Sequence, residues 1–223
     1  MNDIQLVVFD MAGTTVKDGG QVPAAFTSAL SARGIDVTPD QLRRVRGASK
    51  REAVRRFVPD GPDRERVAEL AYADFRARLA GLYQRGVEPV DGAEDVFRML
   101  RANGVRVGLT TGFDRDITTL LLDALGWTRD TVDAVVCGDD VAQGRPAPYL
   151  IFHAMEASGI GDVRRVAAVG DTTLDLAAGS NAGVSWNIGV LSGAHDRASL
   201  EKAPHTHILT SVAALPTLWP PVG

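Results

Sequence analysis

The sequence predicts an α/β chain, a Rossmann-like parallel-sheet core with helices on both faces and an inserted α-helical cap. Three observations predict it. Short runs rich in Val, Ile or Leu alternate with longer stretches of helical period, the pattern of a parallel sheet covered by helices. Most of these runs end in polar or glycine-rich turns, where open α/β sheets place their ligands. Residues 15–90 break the alternation, because they carry helical patterning alone and are far longer than a crossover requires.

The predicted strands are 4–9, 105–109, 133–137, 165–169 and 184–188. Within the insertion, Thr38-Pro39 with Gln41 and Ser49 with Glu52 both fit a capping box, in which side chains at the helix start satisfy free backbone N–H groups. Residues 63–83 place Val67, Leu70, Ala71, Phe75 and Leu79 at helical spacing, so one long amphipathic helix is expected. Pro89 and Gly92 mark the return to the sheet. The division is therefore a core of residues 1–14 and 90–223 and a helical cap of 15–89, with no repeats or low-complexity tracts.

Composition narrows the function classes. In 223 residues, 45% hydrophobic and 23% charged content fits a folded globular chain and argues against disorder. A net charge of −4 gives no basic surface for nucleic acid. No apolar run approaches the roughly 20 residues that span a bilayer. Asp3 and Asp10 interrupt the stretch where a signal peptide would lie. A cytoplasmic protein, monomer or homodimer, is expected, with a small metabolite as partner and neither nucleic acid nor membrane. The single cysteine, Cys137, lies in an apolar run and is read as a packed, inert thiol.

Candidate chemistry gathers at the strand ends. The first strand ends in Asp10-Met11-Ala12-Gly13-Thr14, a carboxylate above a glycine turn and a candidate nucleophile. The run Val166–Gly170 ends in Asp171-Thr172-Thr173-Leu174-Asp175. Two acidic tips on neighbouring parallel strands suit a hard cation such as Mg²⁺, which would offset the charge between an anionic nucleophile and a phosphoryl group. Thr111, followed by Gly112, offers a hydroxyl and a backbone N–H to a phosphoryl oxygen. Arg145, in Gly144-Arg145-Pro146, can offset phosphoryl charge or pair with Asp10. A strand-end Asp by itself is more often a helix cap or turn residue. Four such fragments in order are a different matter.

Those fragments resemble the four motifs of the haloacid dehalogenase superfamily: Asp10–Thr14, Thr111-Gly112, Gly144–Pro148, and Gly170–Asp175 with Ala178-Gly179 and Asn181–Gly183 after it. The resemblance spans nearly the whole chain and is to members whose helical cap follows the first motif. It implies an aspartyl-phosphate on Asp10, later hydrolysed by water. It also implies Mg²⁺ held by Asp10, the Ala12 carbonyl and Asp171, with Asp175 close by. Ala12, Gly13, Thr14 and Gly112 would contact the phosphoryl group.

Most phosphatases of this superfamily carry a second Asp where this chain has Ala12, and a methyl group supplies no general acid or base, a help worth about 10²–10⁴-fold. The motif Asp-x-Ala-Gly-Thr instead resembles the phosphonatase-like enzymes, in which a cap lysine forms a Schiff base and the departing carbon becomes an enamine. Lys50 stands in the corresponding segment, one of only three lysines beside Lys17 and Lys202. Its other reading is a solvated first-turn lysine or a phosphoryl clamp. Ala53, Gly20 and Phe113 stand where phosphonatase has histidine, cysteine and tyrosine. His153, His195, His205 and His207 are read as structural, and Gly179 and Gly183 as turn and packing residues.

Three functions are thus expected in order. First is a Mg²⁺-dependent phosphonatase-like hydrolase acting on a small phosphonate such as phosphonoacetaldehyde; second, a phosphoglycolate phosphatase-like phosphomonoesterase; third, a binding module without turnover. A haloacid dehalogenase proper is disfavoured because it works without the metal site that Asp171 and Asp175 suggest. A sugar phosphomutase is disfavoured because it needs the acid–base Asp that Ala12 replaces.

Overall fold

The computed structural model describes residues 3–218. Its sheet has six parallel strands: β1 (Leu6–Asp10), β2 (Arg106–Thr110), β3 (Ala134–Val136), β4 (Val166–Gly170), β5 (Trp186–Val190) and β6 (His207–Leu209). They lie in the order β3-β2-β1-β4-β5-β6 and every pairing is parallel. The five expected strands are present within two residues of their predicted bounds. The sixth, β6, was not anticipated: three half-buried residues beginning at a histidine carry no run long enough to signal a strand.

Side-chain alternation along β1 builds the layers. Leu6 and Val8 face one side, against Leu150, Ile151 and Ala154 of α7 (Tyr149–Ala157) and Ala178 of α8 (Thr173–Ala182). Val7 and Phe9 face the other, in the larger core that holds Val96, Phe97 and Leu100 of α5 (Ala93–Ala102) and Ile117 and Leu121 of α6 (Arg115–Leu125). Each such apolar side chain contributes roughly 1.5–3 kcal/mol on burial. β1, covered on both faces and flanked by β2 and β4, is thus an enclosed place from which to present a carboxylate.

Between β1 and β2 lie α1 (Gln21–Ser31), α2 (Pro39–Arg44), α3 (Lys50–Phe57) and α4 (Arg64–Tyr83), with no strand in 21–83. The Thr38 capping box forms, with Thr38 Oγ1 accepting from Gln41 N and Gln41 Oε1 accepting from Thr38 N. The expected Ser49 capping box does not: Ser49 makes no side-chain cap bond, and Glu52 pairs with Arg56 one turn on. The first amide of α3 is satisfied from outside the helix, since Lys50 N donates to the Gly112 carbonyl at 2.9 Å. Of the expected apolar stripe of α4, Ala71, Phe75 and Leu79 are buried, and Phe75 packs on Phe26 of α1 with ring centroids 4.4 Å apart. Leu70 is 49% exposed, because α4 turns only its Ala71/Phe75/Leu79 side to α1.

The insertion leaves and rejoins the sheet through two connectors lying side by side. Lys17 N donates to Glu88 O and Val90 N to Thr15 O, and Lys17 Nζ pairs with both Glu88 and Asp91. No helix among the described residues is long and apolar enough to cross a membrane.

Candidate active site

The chain runs from β1 to β2 and β3 on one side, then crosses to β4 on the other, so the order of strands reverses at β1. A crevice opens at the carboxyl ends of strands on either side of such a point. Asp10 ends β1 in register with Thr110 of β2, and Asp171 follows the last residue of the adjacent β4. Past Asp10 the chain wraps around one carbonyl: Thr14, Thr15 and Val16 amides all lie within hydrogen-bond reach of Met11 O, at 3.1, 2.9 and 2.8 Å. That turn requires Gly13 at φ +97°, a left-handed conformation that side chains disfavour.

Asp10, Asp171 and Asp175 are all buried, and each offers an oxygen within 4.8 Å of the other two. Asp171 sits in a glycine cradle. A Cβ at Gly13 would approach Asp171 Oδ2 to 2.5 Å, and one at Gly193 to 1.9 Å. Its carboxylate accepts from the Thr14 hydroxyl at 3.2 Å and the Ala194 amide at 2.6 Å. Arg145 crosses the trio, with Nη1 2.6 Å from Asp10 Oδ1, Nε 2.9 Å from Asp175 Oδ1 and Nη2 donating to Thr110 Oγ1 at 2.8 Å. The other oxygen of Asp175 accepts from the Thr172 amide at 3.0 Å, so Asp175 also caps α8.

Burial raises the Asp10 carboxyl above the usual range, with Arg145 opposing and Asp175 reinforcing the rise. Burial likewise raises Asp171, with the Asp10 and Asp175 charges adding to it. Three carboxylates and one guanidinium leave excess negative charge in a desolvated space. A divalent hard cation relieves it, and the all-oxygen donor set fits Mg²⁺.

Above these groups lies Lys50, first residue of α3, buried with the carboxylates and not solvated. Its Nζ donates to Ala48 O at 3.2 Å and stands 5.1 Å from the Phe113 ring centroid. Burial first, then the Arg46 guanidinium, pushes its ammonium down to about 8, with Asp10 pulling the other way. A cavity of about 10 Å³, room for roughly one water, is lined by Asp10, Ala12, Lys50, Thr111, Gly112 and Asp171 among others. In this structure the cleft is thus nearly filled by its own side chains.

Gly13 and Thr14 pack around Asp171: the Thr14 hydroxyl is buried and donates to it, and Gly13 lies against the same carboxylate. One expected contact is corrected. The Thr111 backbone N–H is not free for a phosphoryl oxygen, since it donates to Val136 O at 3.0 Å and extends the β2–β3 ladder. The Thr111 hydroxyl accepts from Phe113 N at 3.1 Å and keeps its own proton to donate.

Arg46 is a site residue that the sequence reading missed. It lines the cavity beside Lys50 and is held by an ion pair to Asp18, whose side chain is 4% exposed. Its position four residues before Lys50 is the one signal that could have marked it. Gly193 and Ala194 were missed too, being far from every motif in sequence. Cys137 is buried with its thiol pushed up to about 11 by burial, as an inert thiol should be. Gly183 ends α8 at φ +80°, and Gly179 lies against Asn187. The four histidines take no part in the carboxylate cluster; His195 Nδ1 accepts from Thr173 N at 3.1 Å, and His207 stacks on Trp186.

Comparison with known proteins supplies the family. The model of haloacid dehalogenase-like hydrolases matches residues 4–183. Phosphonoacetaldehyde hydrolase of Bacillus cereus is 30% identical over 207 residues, covering 86% of this chain and 78% of the relative. A bifunctional phosphonoacetaldehyde hydrolase/aminoethylphosphonate transaminase of Clostridioides difficile is 31% identical over 207 residues, and there the chain spans only 32% of the relative's length. Among solved structures, a phosphonoacetaldehyde hydrolase-like protein from Oleispira antarctica shares the fold with a TM-score of 0.84 at 24% identity, covering 97% of this chain and 91% of that one. With the strand-end aspartates and Arg145 converging at the sheet's switch point, the match over residues 4–183 makes this chain a member of the haloacid dehalogenase-like hydrolases.

Proposed function

We propose that the chain is a Mg²⁺-dependent phosphonatase-like hydrolase that cleaves the C–P bond of a small phosphonate such as phosphonoacetaldehyde. The observation that carries this reading is the burial of Lys50 in the same closed cavity as Asp10, opposite an alanine at position 12. In the proposal, residues 1–14 and 90–223 are the catalytic core and residues 15–89 the cap. The relatives named phosphonoacetaldehyde hydrolase support the substrate class.

The neutral Lys50 amine would add to the aldehyde carbon and lose water to form a Schiff base. An oxygen of Asp10 would then attack phosphorus, and the C–P electron pair would move into the protonated imine to give an enamine and an aspartyl-phosphate. Such a leaving group needs no acid at Ala12. Water would release phosphate from Asp10, and protonation and hydrolysis of the enamine would free acetaldehyde and Lys50. Asp10, the Ala12 carbonyl and Asp171, with Asp175 nearby, would hold Mg²⁺, which supplies charge neutralisation at the phosphoryl oxygens. The Thr111 hydroxyl and Arg145 would contact those same oxygens.

A phosphomonoesterase of the phosphoglycolate phosphatase type is the second reading. It is favoured by the placement of Lys50 Nζ over Phe113, which suits an ammonium that clamps phosphate. Borohydride added during turnover of phosphonoacetaldehyde separates the two. A two-carbon adduct on Lys50, with nearly complete loss of activity in Lys50→Arg, is the expected result. Unmodified Lys50 during rapid phosphate release, or release from simple esters alone, supports the second reading instead.

A further inference from the structure

The loop after β2 carries Thr111 and Gly112 into the site and ends at Asp114, and the cap grips it at both ends. At one end Lys50 N donates to Gly112 O at 2.9 Å. At the other, Tyr72 Oη of α4 donates to Asp114 Oδ2 at 2.6 Å, and Arg76 Nε lies 2.6 Å from that same oxygen. Arg76 also pairs with Asp116 in the first turn of α6. The second carboxylate oxygen of Asp114 accepts from Ile117 N at 3.1 Å and caps α6.

We infer that Tyr72 and Arg76 are positioning residues that latch the cap closed through Asp114, and thereby hold the Thr111-Gly112 loop and Lys50 together around the substrate.

The chemistry of the trio favours this. Asp114 is only 9% exposed, so its charge has little water and depends on the phenol and the guanidinium. Burial, with Asp114 beside it, raises the Tyr72 hydroxyl well above the usual range, so it stays a donor. Phe113, between the two gripped ends, lies under Lys50 Nζ and edge-on to Tyr83 of the cap, with ring centroids 6.3 Å apart. Beside the latch a groove of about 640 Å³ runs between Arg51, Tyr72 and Arg76 of the cap and Asp114, Asp139 and Gln143 of the core. Groove and closed cavity both touch Gly112, so parting the latch joins them into one path to Asp10. This rests on the proposed function above, with the further step that the proposed cap, residues 15–89, parts from the core to admit substrate.

Tyr72→Phe removes the donor and keeps the ring that packs near Phe75, while Asp114→Asn keeps a good helix cap and removes the charge. Hydrogen exchange at the Lys50 amide then tests the latch without reference to any substrate. A lost bond to a charged partner predicts roughly tenfold faster exchange there in each variant. The double variant should be no faster than Asp114→Asn, because both act through one contact. Exchange at Val8 in the central strand should not change. Unchanged exchange at Lys50, or faster exchange at Lys50 and Val8 together, overturns the latch. A wild type that releases nothing from phosphonoacetaldehyde tells against the proposed substrate but leaves this reading to the exchange data. Where activity is found, Arg76→Lys, which keeps the charge, should retain more kcat/KM than Arg76→Gln; equal losses count against the latch.

Discussion

Arg145 Nη1 lies 2.6 Å from Asp10 Oδ1, and the same guanidinium reaches Asp175, so one cation restrains two buried carboxylates that would otherwise repel. Asp10→Asn is therefore expected to remove turnover, by at least about 10³-fold, without unfolding the chain. An amide of nearly the same volume ends a desolvation cost and a repulsion with Asp175, while Arg145 keeps Asp175 and Thr110 as partners. The melting temperature should move by less than about 4 °C. Phosphate release and a thermal melt on the purified variant check both halves; substantial activity in the folded variant would falsify the nucleophile assignment.

Metal removal is predicted to act through Asp171. In the wild type Mg²⁺ should raise the melting temperature, by roughly 5–10 °C near a hundredfold excess over Kd, and EDTA should reverse the rise and stop activity. Asp171→Asn keeps the volume between Gly13 and Gly193 and loses the charge, so most of that stabilisation should vanish. An equal rise in the variant, or full activity in EDTA, contradicts the site.

The pH profile should report Lys50. Burial and the Arg46 charge hold its ammonium down to about 8, so the neutral amine grows as pH rises toward 8 and is mostly formed above it. A step that uses the free amine accelerates up to about tenfold per pH unit below 8 and levels off above. Arg46→Gln removes a neighbouring positive charge, makes protonation of Lys50 easier and moves the rising limb to higher pH. A limb that stays in place in Arg46→Gln rules out this electrostatic role.

Gly112→Ala should oppose closure. The added Cβ would meet the Ala48 carbonyl at 2.3 Å, a backbone atom that cannot swing away. The core and the cap each keep their packing, so the melting temperature should change little. Misplacement of Lys50 by even about 1 Å can lower kcat/KM by about 10²-fold. Wild-type kinetics in Gly112→Ala would mean that the closed arrangement is not the working one.

Much of this protein is determined by local pattern. The alternation of apolar runs and helical stretches is enough to place five strands, and the helix-only composition of 15–90 is enough to mark the insertion. Asp10, Thr111, Arg145 and Asp171 are legible because a parallel sheet delivers each strand's carboxyl end to one edge, so strand-end position in sequence becomes proximity in space. What tertiary structure decided lies between segments that share no pattern. The Asp171 cradle needs Gly193 and Ala194 from beyond β5, and the Asp18–Arg46 pair links a connector to a cap loop. Thr111 offers its hydroxyl and not its amide because Val136 claims that amide across the sheet. Ser49 makes no cap bond, and the start of α3 is instead tied to the other side of the cleft, where the Gly112 carbonyl accepts from the Lys50 amide. Periodicity reports which face a residue takes within its own element. Which partner meets that face depends on how elements distant in the chain pack, and only the folded molecule holds that information.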